Sequence, residues 1–325
     1  MFDMQSFLEK YYSPEDTILL GCSAWPDSMY ILYHILETSF SNNLVVAYFN
    51  HKTRPETDEE ELFLETLAKE KWFQFETAEC NFEKLQKLYP SKSFEELARE
   101  KRYQFFDALM NIHHTQSVIT AHHLDDRIET FFFNMLRGTK LSGLTNMTES
   151  HGWILRPLLE IEKTDILNYL DIHSLEYKID ASNSKNIYSR NKIRNQILPK
   201  CEEVKPEYRG NIKNLMSYLE GVQEHIDEEV RDFLNIDLTP QSSLLLGEGE
   251  QKRYFEIPAF TLLSKFLQKE VIRYIYYISN NNSTIGLSEW NIAEVIRFIY
   301  WKNNKTVKEI QKLTMRKDNK KIYWR

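Results

Sequence analysis

One imidazole and two carboxylates recur at helical spacing near the middle of this chain. His122, Asp126 and Glu129 stand at i, i+4 and i+7 in the segment AHHLDDRIETFFFNMLRGTKLSGL, residues 121–144, and this spacing predicts one face of an α-helix. The opposite face is apolar, with Ile128, Phe131, Phe132, Met135 and Leu136. Gly138 is placed to end the helix. Such an acidic face can hold Mg²⁺ or a cationic substrate, and it is also typical of an ordinary solvated helix.

A second candidate site follows the first predicted strand. The residues GCSAWPDS at 21–28 join a strand at Thr17–Leu20 to a helix at Asp27–Glu37. A strand–loop–helix unit points backbone N–H groups and the positive end of the helix dipole at an anion. A serine followed by Asp-Ser at a helix start is also an ordinary N-cap. This loop alone therefore leaves phosphate binding and simple capping open.

Both motifs lie in a first half that alternates β-prone and helical segments. The predicted strands are Thr17–Leu20, Leu44–Phe49, Trp72–Thr77 and Ser117–Ala121. Helix starts are indicated by capping boxes at Thr57 with Glu60 and at Ser93 with Glu96. The alternation predicts an α/β fold with a parallel sheet wrapped by helices. Ligands of such sheets bind beyond the carboxyl ends of the strands, where these motifs lie.

The second half is predicted to be mostly helical, with a small domain at its end. The predicted helices are Ile161–His173, Ser189–Lys200 and Pro206–Phe233. Residues 236–253 have an irregular pattern, and the segment from Tyr254 is helical first and β-prone at its close. We therefore predict three parts: an α/β domain at 1–205, a helical linker region at 206–253 and a small C-terminal domain at 254–325.

Composition indicates a globular protein of a reducing compartment. The 325 residues are 42% hydrophobic and 27% charged, and no apolar run approaches the length that spans a membrane. The N-terminus lacks the basic and apolar regions of a secretory signal. The three cysteines, Cys22, Cys80 and Cys201, contain no CxxC pair, which argues against a disulfide framework or a zinc site. We expect a cytoplasmic protein, without membrane contact, that can form a homodimer.

The net charge of −7 conceals a basic C-terminal segment. Residues 301–325 hold nine Lys/Arg against two acids, a net charge of +7. A second basic cluster contains Lys185, Arg190, Lys192, Arg194, Lys200, Lys205 and Arg209. Basic segments interleaved with aromatic residues suit the phosphate backbone of a nucleic acid, although they are often only solvated surface. The candidate nucleic-acid contacts are Arg190, Lys192, Lys317, Lys320 and Lys321.

The first-strand loop resembles the PP-loop, the SGGxDS motif of ATP pyrophosphatases. Ser23, Pro26, Asp27 and Ser28 fall on this pattern, while Ala24 and Trp25 stand where the family has glycines. Further motifs follow in order: FNHKTR at 49–54, EELAREKRY at 95–103, the 121–144 segment, RPLL at 156–159, DASN at 180–183 and SRNKIR at 189–194. In this order and spacing, residues 15–200 resemble the tRNA(Ile)-lysidine synthetase family. Arg127 departs from the family, which usually has glutamine there.

The resemblance implies an adenine nucleotide alpha hydrolase-like fold and a two-step reaction. ATP would adenylate the wobble cytidine of an isoleucine tRNA with a CAU anticodon, and free L-lysine would then displace AMP to give lysidine. The triphosphate would lie on Ser23, Ala24, Trp25, Pro26, Asp27 and Ser28. By resemblance, Asp27 would also hold Mg²⁺, His122 and Arg194 would contact phosphates, and Arg102, Asp126 and Glu129 would form the lysine pocket. The catalytic set implied is Asp27, His122, Asp126 and Arg194.

Other readings stay open at this point. A tRNA thiolase of the same class typically needs CxxC or paired catalytic cysteines, which this sequence lacks. A tRNA-binding remnant with an impaired ATP loop is suggested by Ala24 and Trp25, but the acidic residues and Arg194 argue against decay. An amidating synthetase would need a glutaminase-like segment. Individually, Arg102 can be a surface salt bridge with Glu95, Glu96 or Glu100, and His122 can be a helix cap.

Overall fold

The computed structural model describes residues 2–80, 82–145, 147–179, 189–235, 253–280, 286–301, 306–310 and 313–325. The chain divides into two compact units, Met1–Asn214 and Leu215–Arg325. The boundaries predicted after residues 205 and 253 stay a prediction. The DASN motif at 180–183, Lys185 and residues 236–252 lie outside the described part of the chain.

The first unit is built on a six-stranded sheet. Its strands are β1 (Ile18–Gly21), β2 (Leu44–Asn50), β3 (Gln74–Glu79), β4 (Val118–Ile119), β5 (Ser150–His151) and β6 (Ile154–Leu155). Their order is β3-β2-β1-β4-β6-β5, and every neighbouring pair is parallel except β5–β6. The central strands are Val/Ile/Leu-rich and buried, as expected for a parallel sheet with helices on both faces. The predicted α/β class is confirmed.

Eleven described helices begin within this first unit. They are α1 (Met4–Tyr11), α2 (Pro26–Leu36), α3 (Glu56–Lys71), α4 (Phe82–Leu88), α5 (Phe94–Ile112), α6 (Leu124–Leu136), α7 (Leu141–Leu144), α8 (Lys163–Ile172), α9 (Ser189–Lys192), α10 (Leu198–Val204) and α11 (Tyr208–Leu234). The capping box of Ser93 and Glu96 is confirmed at the start of α5. The Thr57 capping box is wrong: α3 begins at Glu56, and the Thr57 hydroxyl instead donates to the Arg54 carbonyl at 2.8 Å.

The strand order reverses between β1 and β4. Strands β2 and β3 lie on one side of β1, and β4 and β6 lie on the other. In an open parallel sheet this reversal opens a crevice at the carboxyl ends of the two central strands, because their loops diverge to opposite sides. The loop at 22–25 and the segment at 120–123 both leave the sheet at this crevice. The fold therefore brings the two candidate motifs of the sequence to one place.

The second unit closes on an antiparallel sheet. Its elements are β7 (Tyr254–Glu256), α12 (Ile257–Leu262), α13 (Lys265–Ser279), α14 (Glu289–Tyr300), β8 (Thr306–Ile310), β9 (Leu313–Asp318) and β10 (Lys321–Trp324). The strand order is β7-β10-β9-β8, with antiparallel neighbours throughout. The prediction of helices followed by β structure is confirmed at α12–α14 and β8–β10, but the segment was predicted to be helical first and instead opens with β7. Across the described residues of both units, no helix has the length and apolar character needed to cross a membrane.

Candidate active site

The loop after β1 adopts a conformation that normally favours glycine. Ala24 has φ +62° and is fully buried, and its carbonyl accepts a hydrogen bond from the Lys178 amide at 2.9 Å. The left-handed region costs an L-residue about 1–2 kcal/mol. Inside the loop, the Ser28 hydroxyl accepts from the Ser23 amide at 3.1 Å and donates to the Trp25 carbonyl at 3.0 Å. The turn is therefore retained although a methyl group replaces the family's first glycine.

Trp25, at the second glycine position, makes its side-chain contacts with the β2–α3 segment. Its indole Nε1 donates to Glu60 Oε1 at 3.1 Å, and the Arg54 guanidinium lies 5.6 Å from the indole ring centre. Arg54 Nη2 donates to the same Glu60 oxygen at 2.9 Å, and the Tyr48 hydroxyl donates to Glu60 Oε2 at 3.0 Å. Glu60 is buried, so these three donors satisfy a carboxylate that would otherwise be costly to bury. Trp25 thus ties the loop to α3 and to the segment that precedes it.

His123, which the sequence analysis missed, is the imidazole nearest to the acidic residues. Because α6 begins at Leu124, His122 precedes the helix and does not share a helical face with Asp126 and Glu129, which corrects that expectation. His122 Nδ1 instead hydrogen-bonds the Thr120 hydroxyl at 3.0 Å. The buried His123 Nε2 lies 3.7 Å from Asp27 Oδ1 and 3.5 Å from Asp126 Oδ2.

Asp126 and Glu129 form an acid pair that is bound by Arg194. Arg194 Nε donates to Glu129 Oε1 at 2.5 Å, and its Nη2 donates to Glu129 Oε2 at 3.2 Å and to Asp126 Oδ1 at 3.3 Å. Burial raises the pKa of Glu129, and the Arg194 hydrogen bond only partly offsets this. Burial also acts against ionisation of Asp126, but the neighbouring His123 and His122 lower its pKa. Asp126, Glu129 and Arg194 therefore meet, with the guanidinium on the two carboxylates.

A π-helical turn at Ile193–Ile197 carries Arg194, between α9 and α10. Such wide turns are rare, and those that occur are frequently at functional sites.

The apolar face predicted for α6 is confirmed at Ile128 and Phe131, which are buried, whereas Met135 and Leu136 at the end of the helix are exposed. Gly138, at φ +71°, follows the last turn as predicted.

A second missed group surrounds Asp27. Lys163 Nζ donates to Asp27 Oδ1 at 2.5 Å. The Lys163 amide, in the first turn of α8, donates to Asp125 Oδ2 at 3.0 Å, and Arg209 of α11 donates to the other oxygen of Asp125. Asp125, which had no role in the sequence analysis, thus positions Lys163 beside Asp27. No cluster of three or more potential metal ligands occurs among the described residues, but Asp27 suits a Mg²⁺ ion held mainly by substrate phosphates and water.

Arg102 lies near His122 and apart from the hydrogen bonds of the acid pair. Its guanidinium carbon is 5.9 Å from the Tyr103 ring centre, and its charge helps to lower the pKa of His122. Of the three nearby acids that the sequence offered as partners, two are engaged elsewhere: the Glu96 carboxylate accepts from the Ser93 amide, and Glu100 binds Lys92. Within the described part of the chain, no acidic side chain is among the groups that shift the pKa of Arg102.

The ion pair of a buried arginine with an exposed glutamate explains one departure from the family pattern. Arg127 is 5% exposed, and its guanidinium donates to Glu160. Lys213 Nζ lies 2.9 Å from another oxygen of Glu160. Arg127 therefore joins α6 to the segment before α8 and has a packing role in this chain.

The predicted nucleic-acid contacts differ in exposure. Arg190 and Lys192 are exposed in α9, and Lys320 is exposed in the turn before β10. Lys321 Nζ lies 3.9 Å from the Tyr254 ring centre. Lys317 corrects the prediction: it is buried, and its ammonium donates to the carbonyls at the end of α14, Ile299 at 2.7 Å and Trp301. Burial lowers the pKa of Lys317. This side chain therefore supports α14 and is not offered to a ligand.

A parallel sheet with a strand–loop–helix anion loop and charged side chains at its strand-order reversal defines an adenine nucleotide-binding α/β protein. The comparison with family models agrees, since the PP-loop domain matches residues 2–201. The chain belongs to the PP-loop domain family. The expectation of a PP-loop family, drawn from the first-strand loop, is thereby confirmed.

Two curated relatives are similar to this chain over most of its length. A tRNA(Ile)-lysidine synthase of Bacillus thuringiensis is 30% identical over 87% of this chain and 59% of its own length. A tRNA(Ile)-lysidine synthase of Streptococcus sanguinis is 29% identical over 96% of this chain and 68% of its own. The chain spans about three fifths of the length of the first relatives that it matches. Among solved structures, a tRNA thiolase of Methanococcus maripaludis has a TM-score of 0.53 at 16% identity, over 68% of this chain and 79% of that one, which shows the fold alone.

Proposed function

We propose that this chain catalyses the tRNA(Ile)-lysidine synthase reaction. ATP adenylates the C2 oxygen of the wobble cytidine in a CAU-anticodon isoleucine tRNA and releases pyrophosphate. An amine of free lysine then attacks C2, and AMP leaves. The observation that carries the proposal is the convergence of the loop carboxylate Asp27 and of Asp126 on His123, with Glu129 joined to Asp126 through Arg194. It supports placing a nucleotide phosphate and a cationic amine side by side.

On this proposal, the loop and its neighbours bind the nucleotide. The backbone N–H groups of the loop after β1 and of the first turn of α2, where Pro26 has none, face the phosphates. Asp27 would hold Mg²⁺, whose charge would stabilise the negative charge on the α-phosphate. Lys163 is then free to leave Asp27 for a phosphate oxygen. Arg194 moves its guanidinium from the acid pair to the adenylate phosphate, since both ligands match its planar fork.

The acid pair binds and activates the amine. Two carboxylates are suited to an ammonium group, which must lose a proton before its nitrogen can attack. Glu129 is the better proton acceptor of the pair because burial raises its pKa, whereas its neighbours lower the pKa of Asp126.

Labelled lysine tests the proposal directly. The purified protein is incubated with ATP, Mg²⁺, labelled lysine and either a CAU-anticodon isoleucine tRNA transcript or a matched transcript without C at the wobble position. We expect label in the first transcript alone, and at least a hundredfold less with Glu129→Gln. Glu203→Gln, which changes an exposed acid paired with Lys200, is the matched control. Intact tRNA binding with no incorporation would favour the tRNA-binding remnant.

The thiolase alternative lacks a reactive cysteine arrangement. The three cysteines are free, Cys22 is buried, and burial raises the pKa of its thiol to about 11. A thiol with such a pKa is almost entirely protonated at neutral pH and is a poor nucleophile. The likeness to the thiolase structure therefore supports a common fold and not a common chemistry. The predicted homodimer and cytoplasmic location stay predictions.

A further inference from the structure

Two arginines lie at one aromatic ring beside the proposed site, and a third lies within electrostatic reach of that ring. Arg99 and Arg102, one turn apart on α5, place their guanidinium carbons 4.4 and 5.9 Å from the Tyr103 ring centre. Tyr103 packs edge-on against Trp153, with ring centres 5.3 Å apart. Arg156 follows directly after β6, three residues beyond Trp153. Tyr103 and Arg99 both act on the pKa of Arg156, so α5 and the end of β6 bring three cations into one region.

The electrostatic effect of the three arginines on His122 locates this arginine cluster. Burial lowers the pKa of His122 to about 4, and the positive charges of Arg156, Arg102 and Arg99 contribute to this shift against the opposing charge of Asp126. The same imidazole therefore lies within electrostatic reach of all three guanidinium groups. The cluster therefore lies near His122, at the crevice.

Arg102, which is partly buried, and Arg156, which is buried, have no acidic partner among the described residues. Burial lowers the pKa of Arg102 and of Arg156, and Arg99 lowers both further, while Tyr103 is the sole opposing group. Arg156 is 6% exposed; one N–H donates to the Thr148 carbonyl at 3.0 Å, but its Nε has no hydrogen-bond partner. Buried cations without a counter-charge are strongly destabilising, so a bound anion would be strongly favoured here.

We infer that Arg99, Arg102 and Arg156 form a phosphate-binding site beside His122. A lysine carboxylate carries a single charge and cannot satisfy three guanidinium groups, whereas phosphate oxygens match several guanidinium forks at once. The proposed function supplies two sources of this phosphate chemistry: the RNA backbone next to the wobble nucleotide, and the pyrophosphate that leaves ATP. The inference rests on that proposed function only for the identity of these two sources.

Replacement of Arg99 is the safest test, because Arg99 is exposed and the change should leave the fold intact. Arg156→Lys is a second variant, which keeps the charge but removes the guanidinium fork. Arg137→Met is the matched control, since Arg137 is an exposed arginine stacked 5.2 Å from the Phe133 ring centre. Binding of the tRNA transcript is measured over a series of salt concentrations, and binding of inorganic pyrophosphate and of lysine is measured by calorimetry.

Each ligand has a distinct expected result. If RNA supplies the phosphate, Arg99→Met weakens tRNA binding about tenfold and lowers the slope of log affinity against log salt by about one, with pyrophosphate binding unchanged. If pyrophosphate is the ligand, its affinity falls instead. In both cases Arg156→Lys weakens binding of the same ligand as Arg99→Met, and Arg137→Met leaves the binding of both ligands unchanged. The bound phosphate raises the pKa of His122 in NMR titrations.

Two results would overturn the inference. One is unchanged binding of both polyanions by Arg99→Met and Arg156→Lys, and the other is a loss confined to lysine binding, which would make the cluster a carboxylate site. A wild-type protein that binds tRNA but incorporates no lysine would refute the proposed function alone, because the binding experiments do not depend on turnover.

Discussion

Replacing Arg194 by methionine should allow free lysine to bind without nucleotide. In the structure, the Arg194 guanidinium occupies Glu129 and Asp126, the carboxylates proposed for the lysine ammonium. Lysine must therefore displace a resident cation unless a nucleotide phosphate has already drawn Arg194 away. The prediction is an ordered reaction in which the nucleotide binds or adenylates first and lysine follows.

The size of this effect can be worked from the contacts. Arg194 makes one short hydrogen bond of 2.5 Å and two longer ones of 3.2 and 3.3 Å to the acid pair. A hydrogen bond to a charged group contributes about 1.5–3 kcal/mol, and the 39% exposure of the Arg194 side chain argues for the lower end. Removing a competitor worth about 1.5 kcal/mol strengthens lysine binding roughly tenfold.

Calorimetry of lysine binding decides the matter. Wild type should bind lysine about tenfold more tightly in the presence of a non-hydrolysable ATP analogue than without it, and Arg194→Met should bind equally in both conditions at the tighter value. Arg190→Met, an exposed arginine four residues earlier, is the control and should behave as wild type. Circular dichroism establishes that each variant is folded. Equal lysine affinity of wild type with and without nucleotide, or weaker binding by Arg194→Met, would refute the reasoning.

Three further changes test the surrounding groups. Lys163→Met should lower the Mn²⁺ or Mg²⁺ concentration that half-saturates binding several-fold, because it removes the ammonium that competes for Asp27; an unchanged metal titration would contradict this. Glu129→Gln should gain stability relative to wild type as pH rises from about 4 to 7, because burial raises the pKa of Glu129, so the folded wild type binds more protons and is destabilised as the carboxyl ionises. The gap in denaturation midpoints should close at acidic pH. Trp25→Phe should lower the free energy of unfolding by about 1–2 kcal/mol through the lost bond to Glu60, and an unaltered urea midpoint would show that the bond contributes nothing.

The local sequence pattern was sufficient to predict most of the helices and strands and to predict that the loops after β1 and β4 meet. Buried runs such as Leu44–Phe49 and the capping box at Ser93 depend on neighbours in sequence, so period and capping rules predicted them. The imidazole was misassigned because α6 starts two residues later than predicted, which moves His122 off the helix. Lys317 could have been excluded from the sequence, since it alternates with Leu313 and Met315, which face the core of β9.

The charged partners could not have been predicted from local pattern. Asp125 binds the Lys163 amide 38 residues away and Arg209 84 residues away. Such pairs are set by tertiary packing, and an acid near a helix start has many possible cations in a chain with 41 Lys and Arg. The role of Asp125 therefore needed the folded structure.

The two replaced glycines of the anion loop differ in what they require of the rest of the sequence. Ala24 requires only that a strained φ be tolerated, so this substitution can arise alone at a modest energetic cost. Trp25 requires a hydrogen-bond acceptor for its indole N–H, which Glu60 on another element provides. The tryptophan and the acid are therefore expected to co-vary: relatives with a large indole at position 25 should keep a carboxylate at position 60, whereas relatives with glycine are free to change it. A loop of this family is thus better recognised by its backbone path than by its glycines.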